Sequence, residues 1–236
     1  HCGPRYTASG YVSNVGGGDS NTASIAHSFV GGGQGNTASG AQGTCAGGYA
    51  NTASGLRAFV GAGTFNTASG TDSWVAGGKN GTTRGLTAAM AHGMVQRAAV
   101  GDRQRMGMPL ACAARTDATP TVLTSDADAA GAANQLVIPN NSSHIFEAFV
   151  VAHDATNTKS AGWIITGVIR RGANAASTTI VGTNTTTAVS SDFAGAPTTA
   201  PTATADTTNG ALCITYTGLA ATTTYPVAFA RLVTAA

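Results

Sequence analysis

Between residues 6 and 95 small and apolar residues return with a step of fifteen. Aligned on that step, the third position reads Ala8, Ala23, Ala38, Ala53, Ala68 and then Thr83, and the tenth reads Val15, Val30, Cys45, Val60, Val75 and Met90. Short runs of alternating polar and apolar residues surround these places, and such alternation sends successive side chains to opposite faces of a strand. The pattern predicts two strands and two turns per coil. Its interior is thin, because the eighth position is also small: Ser13, Ser28, Gly43, Ala58, Ser73 and Ala88. Self-similarity at one short step marks a solenoid, and six coils are expected, starting at Tyr6, Asn21, Asn36, Asn51, Asn66 and Gly81.

Each complete unit opens with Asn-Thr-Ala-Ser. Stacked at the inter-strand spacing of about 4.8 Å, the amides of Asn21, Asn36, Asn51 and Asn66 are placed to form a structural ladder along the axis. The thirteenth position is glycine in every unit (Gly18, Gly33, Gly48, Gly63, Gly78 and Gly93), which predicts a corner of positive φ. Cys45 takes the place of a core valine and reads as packing, not as a nucleophile. The ninth position is Asn14, Phe29, Thr44, Phe59, Trp74 and Ala89, and it faces away from the valine beside it. A coil this thin buries little apolar area, so Phe29, Phe59 and Trp74 are read as packing between chains; a ligand surface is the rival reading.

From Pro109 the pattern changes to longer alternating runs separated by turn residues. Strands are predicted at 110–115, 121–124, 135–138, 144–153, 162–171, 178–181, 211–217 and 225–233, with a Thr/Ala/Ser-rich loop or edge strands over 183–201. Phe146, Phe149, Trp163, Ile165, Val168, Leu212, Ile214, Tyr216 and Phe229 are the core candidates. The fold expected is all-β, a parallel β-roll or solenoid of fifteen-residue coils followed by an antiparallel, jelly-roll-like β-sandwich. The divisions are a tail at 1–5, the solenoid at 6–95, a connector at 96–108 and the sandwich at 109–236. The chain begins with His1 and not Met, which suggests a fragment or processed product.

Composition narrows the function. Charged residues make up 9% and the formal net charge is +2, which speaks against a nucleic-acid surface. Arg97, Arg103 and Arg105 gather around Asp102 without interleaved aromatics, as in a solvated or interchain-paired connector. No apolar run reaches the length of a membrane span. Cys2, Cys45, Cys112 and Cys213 form no Cys-x-x-Cys pair, so a zinc or dithiol centre has no support, while disulfide pairing stays open.

Candidate chemistry is sparse. His27, His92, His144 and His153 lie in no catalytic motif; His153 and Asp154 with His144 are the one conceivable metal trio, and a solvated strand end is the simpler reading. Glu147 is the single glutamate, and glycoside hydrolysis by paired carboxylates needs a second acid that the pattern does not supply. No catalytic residue, cofactor or metal site is expected, and the chain is read as no enzyme.

The frame Asn66-Thr-Ala-Ser-Gly70 with Ser73, Val75 and Gly77 resembles the head repeat of trimeric autotransporter adhesins, which also occurs in phage tail fibres. That resemblance implies a left-handed parallel β-roll in a homotrimer. In the second half, 116–125, 134–142, 163–174 and 206–212 resemble C-terminal domains of phage tail-fibre and tail-associated proteins. Together they imply a structural and receptor-binding part of a phage tail fibre or spike tip in the virion tail. Its partners would be upstream tail proteins and a host-surface glycan or outer-membrane protein, contacted through the second half. A bacterial surface adhesin head is the alternative. A third reading is ice binding by Thr22, Thr37, Thr52 and Thr67 beside Ser24, Ser39, Ser54 and Ser69. Neither nucleic acid nor membrane insertion is expected.

Overall fold

The computed structural model describes residues 5–94, 104–154, 159–191, 199–220 and 222–235. The chain divides into two compact units, His1–Met106 and Gly107–Ala236. Almost every regular element is a strand, and a β-solenoid of about 6 turns fills the first unit.

Two strands per coil build two parallel sheets. β1 (Tyr6–Ala8), β3 (Asn21–Ala23), β5 (Thr37–Ala38), β7 (Thr52–Ala53) and β9 (Thr67–Ala68) make one. β2 (Asn14–Val15), β4 (Phe29–Val30), β6 (Thr44–Cys45), β8 (Phe59–Val60) and β10 (Trp74–Val75) make the other, extended by β11 (Met90–Gly93). Like residues stack, Ala38 on Ala53 and Cys45 on Val60. The interior is the thin one expected: Ala23, Val30, Ala38, Cys45, Ala53, Val60, Ala68 and Val75 are fully buried. A third line of single parallel bridges joins Asp19, Gln34, Tyr49, Thr64 and Lys79, so the coil has three sides and not two.

Three left-handed residues turn each coil. Gly18, Gly33, Gly48, Gly63 and Gly78 have φ of 88 to 98°, and a Cβ on Gly48 would lie 2.3 Å from the Gly63 carbonyl oxygen of the coil above. Gly93 differs, lying in β11 outside the left-handed region. The other two corners carry ordinary residues, among them Arg57 (φ 54°) and Phe65 (φ 57°). Left-handed backbone at a non-glycine residue costs about 1 kcal/mol or more. Here it reverses the N–H. Arg57 and Phe65 donate back to Ala41 and Tyr49 at 2.9 and 3.0 Å, whereas strand residues such as Thr52 donate forward, to Asn66, at 2.8 Å. Each interior coil is therefore bonded in both directions.

The asparagines sit at a buried corner, fully shielded from solvent. Their amides do not bond one another. Asn51 donates to the carbonyls of Gly47 and Gly63 at 2.8 and 2.9 Å, while its oxygen accepts the N–H of Asn66 at 2.9 Å. Asn21, Asn36 and Asn66 repeat the arrangement, and the series ends where Gly81 donates to Asn66.

The last coil departs from the repeat. Thr67 pairs with Thr82 but Trp74 pairs with Met90, so one extra residue enters between them. As a result Ala91, and not Met90, stacks on Val75. The Thr83 hydroxyl accepts from the N–H groups of Ser69 and Gly70 at 3.0 and 3.3 Å, the role that the Ala68 carbonyl plays one coil below. Gln104, fully buried, accepts from the N–H of Thr82 and donates to its carbonyl, both at 2.8 Å. One carboxamide thus gives the edge of the sheet the pair of bonds another strand would make.

In the second unit, β12 (Gln104–Ala111) pairs with β20 (Thr224–Ala235), followed in order by β15 (Ser142–Asp154), β16 (Lys159–Arg171) and β17 (Thr179–Ser191). A smaller antiparallel sheet groups β13 (Pro120–Val122), β14 (Leu136–Val137) and β18 (Thr202–Asp206) around β19 (Ala211–Thr217). Buried side chains of both sheets meet: the Trp163 ring of β16 stands edge-on to Tyr216 of β19, centroids 6.3 Å apart. A short 3-10 turn at Ala175–Ser177, capped by Asn174, precedes β17.

Several expectations change. β12 begins inside the stretch read as a connector, whose Arg97, Asp102 and Arg103 lie outside the described residues, as does Cys2. Of the two readings for 183–201, loop or edge strands, β17 follows the second through Ser191 as the edge strand of its sheet, and β18 adds a strand where none was expected. Phe149, Val168 and Phe229 are not in the core. Phe146 is buried, and Phe149, three residues on, must face the opposite side of the same strand. Val168 stands in the same relation to Ile165. Cys45, Cys112 and Cys213 are free thiols.

Candidate functional site

The ninth position of the coil makes an outward column. Phe29, Thr44, Phe59, Trp74 and Met90 stack in direct parallel register, with Phe29, Phe59 and Trp74 about 40% exposed. The Phe59 and Trp74 rings meet edge-on at 6.4 Å. Thr44 separates Phe29 from this pair. A second aromatic pair, Tyr49 and Phe65, lies on the third side of the coil at 5.3 Å. The Thr-x-Ser rows alternate half-buried threonines with serines that are exposed at Ser24, Ser39 and Ser54 and half-buried at Ser69, so they do not present a uniformly exposed hydroxyl array.

A second apolar surface covers the outward face of the larger sheet. On β15 the even-numbered residues from Ser142 to Asp154 point inward and the odd ones outward, and β20 is registered to match. Ile145 faces Val233, Phe149 faces Phe229 and Val151 faces Val227 across the two strands. Phe229 lies against Gly107 of β12, where a Cβ would be 2.5 Å from the ring tip. Among the described residues the charged pair on this face is Glu147 with Arg231, whose Nε donates to Glu147 Oε2 at 2.7 Å and whose guanidinium sits 5.5 Å from the Phe149 ring centroid. Glu147 is therefore committed to an arginine on the neighbouring strand.

The histidines do not assemble. His144 points inward and shares a 2.9 Å hydrogen bond with Ser142, while His153 points outward and bonds Ser160 at 3.1 Å. Nine residues of one strand separate them, about 30 Å. No group of three potential metal-ligating side chains occurs among the described residues.

At one end of the same sheet face a cleft of about 550 Å³ opens between Asn141, Ser143, Arg170, Gly172, Ser177 and Thr179. Antiparallel register puts Ser143, Arg170 and Thr179 side by side on three strands. The adjacent arginines split by alternation. Arg171 turns inward, where it donates to the Ile138 carbonyl at 2.8 Å and lies over Gly210, while also lining the cleft with Ser142; Arg170 turns outward and is exposed at the cleft. A second cleft, of about 370 Å³, contains Cys112 and Arg115, but Asp117 neutralises that arginine at 2.7 Å. Hydrogen bonding from the Thr119 N–H, together with Arg115, holds the Asp117 carboxyl below its ordinary value. The sequence reading singled out none of Ser143, Arg170 or Thr179. The signal present was the Arg-Arg pair at a strand end, of which alternation must expose one.

No family model matches the chain, and no curated protein does. The solved structures similar to the chain include three phage tailspikes. One is tailspike gp49 of Acinetobacter baumannii bacteriophage Fri1, described as a capsular polysaccharide depolymerase, at 10% identity and a TM-score of 0.32, covering 94% of this chain and 44% of that one. The others are tailspikes of Acinetobacter phage vB_ApiP_P1 (7% identity, TM-score 0.28, 94% and 54% covered) and of Acinetobacter baumannii phage AM24 (8%, 0.28, 92% and 47%). This chain spans about half the length of each. The expectation that the chain is no enzyme is corrected here, because the Fri1 tailspike is by its description an enzyme.

Proposed function

We propose that the chain is a structural and receptor-binding component of a phage tail fibre or spike, working as a homotrimer and contacting a host-surface glycan or outer-membrane component through its second unit. The observation that carries this reading is the outward face of β15 and β20. Water-soluble monomers seldom expose a contiguous apolar surface of this kind without a partner. Ile145, Phe149, Val151, Val227 and Val233 form one with the half-buried Phe229 on two paired strands. A second copy of the chain supplies the matching apolar surface, and the aromatic column of Phe29, Phe59 and Trp74 gives the first unit its own contact. Threefold assembly is the arrangement that the repeat's resemblance implies. The cleft at the end of the sheet, where Arg170 stands between Ser143 and Thr179, is the place with the chemistry of a recognition site.

Light scattering on the purified chain at micromolar concentration tests the assembly, and attachment of labelled chain to bacterial cells tests the recognition. The expected mass is three chains, falling on replacement of Phe149 and Phe229 by Ser. A monomer at that concentration, or absence of attachment across a broad panel of hosts, would sink the proposal.

A further inference from the structure

We propose that the cleft at Arg170 binds a saccharide bearing a carboxylate, and that Arg170 selects the acid. This deepens the glycan-binding reading given above and rests on it. The first ground is charge. Arg57, Arg115 and Arg231 each face a carboxylate, on Asp72, Asp117 and Glu147, and Arg171 is engaged by the Ile138 carbonyl. Arg170 has no acidic partner among the described residues, and no acidic side chain lines its cleft. An exposed guanidinium offers a planar fork of N–H donors that a carboxylate meets with two parallel hydrogen bonds.

The second ground is the lining. Ser143 and Thr179 flank Arg170 through strand register, while Asn141 and Ser177 stand at the rim. Hydroxyl and amide groups on both sides of a cation suit a polyol carrying an acid. The volume, about 550 Å³, lies in the range of small-ligand sites. The third ground is rigidity: Arg170 sits on a strand paired on both sides, so its backbone is fixed before any ligand arrives.

Calorimetry on the full chain, using glucuronic acid, glucose and inorganic phosphate as probes, tests the assignment. Glucuronate is expected to bind at least about tenfold more tightly than glucose, and Arg170→Ala to abolish that preference, as loss of a charge-assisted hydrogen-bond pair predicts. Arg170→Lys should keep part of it. Arg105→Ala, an exposed arginine outside the cleft, should leave it intact. Equal affinity of the Arg170→Ala variant and the parent for glucuronate would overturn the site, as would no binding of glucuronate at all. Phosphate binding as tightly as glucuronate would reduce it to a site for any small anion, which also overturns the proposal. Cell attachment separates the two readings. If Arg170→Ala loses glucuronate but labelled chain never attaches to cells, the cleft stands and the receptor role fails; if attachment persists in a chain indifferent to glucuronate, the reverse holds.

Discussion

The backbone N–H of Asn66 donates to the side-chain oxygen of Asn51, one coil below, at 2.9 Å. That bond and the two donated by the Asn51 amide show what the asparagine does: it bonds three backbone groups at a corner, of which only the Gly63 carbonyl also accepts a backbone N–H, that of Tyr49.

Removing the amide takes their side-chain partner from the Asn66 N–H and the Gly47 carbonyl, while Gly63 keeps the bond it accepts from the Tyr49 N–H at 2.9 Å. Each unsatisfied buried group costs about 1–3 kcal/mol, so Asn51→Ala, with two groups affected, is expected to lower stability by about 2 kcal/mol or more. Urea denaturation followed by circular dichroism reads the change. A midpoint indistinguishable from the parent would show that the ladder contributes nothing.

Two neighbouring glycines separate close approach from mere flexibility. Gly48 has φ of 93° and its absent Cβ would lie 2.3 Å from the Gly63 oxygen, whereas a Cβ on Gly32 meets nothing within 4 Å and its φ is not left-handed. Gly48→Ala should disrupt coil stacking. Gly32→Ala should fold with a melting temperature close to the parent's. The pair is compared by thermal melting, and equal losses would contradict the stacking geometry.

Cys45 predicts a pH dependence. Burial among Val30, Val60 and their neighbours pushes its thiol up from 9.0 to about 11. The folded state thus holds a proton that the unfolded chain gives up earlier. Its contribution is complete below about pH 9 and disappears as pH rises through 11. The stability of the first unit should decline over that window, and Cys45→Val should flatten the decline. In the native state at neutral pH the thiol should resist alkylation until the chain unfolds. Rapid native-state labelling, or a decline unchanged by valine, would argue against a buried thiol.

Much of the first unit was legible because the repeat writes its side chains into the sequence. Ala68 and Val75 return at fixed places, and alternation says which way Trp74 faces. The third line of bridges was not legible. Asp19, Gln34, Tyr49, Thr64 and Lys79 share no chemistry, since only their backbones pair. The left-handed corners at Arg57 and Phe65 were equally silent, as neither residue type announces positive φ. Phe149 is a different case: its distance from Phe146 already fixed its side, and the parity of the strand outranks the hydrophobicity of the ring. The cleft could not be read at all, because Ser143, Arg170 and Thr179 are brought together by register between strands and not by any local spacing.

The pairing of Gln104 with Thr82 has a consequence for growth. A stack of identical coils is in principle a template, each free edge inviting the next chain that can pair with it, which is how fibrils elongate. Here the repeat carries its own full stop on that sheet: one side chain occupies the Thr82 donor and acceptor where an incoming strand would begin. A rod that ends this way counts its turns from its own sequence, and its length on this side is written in the gene instead of being left to concentration.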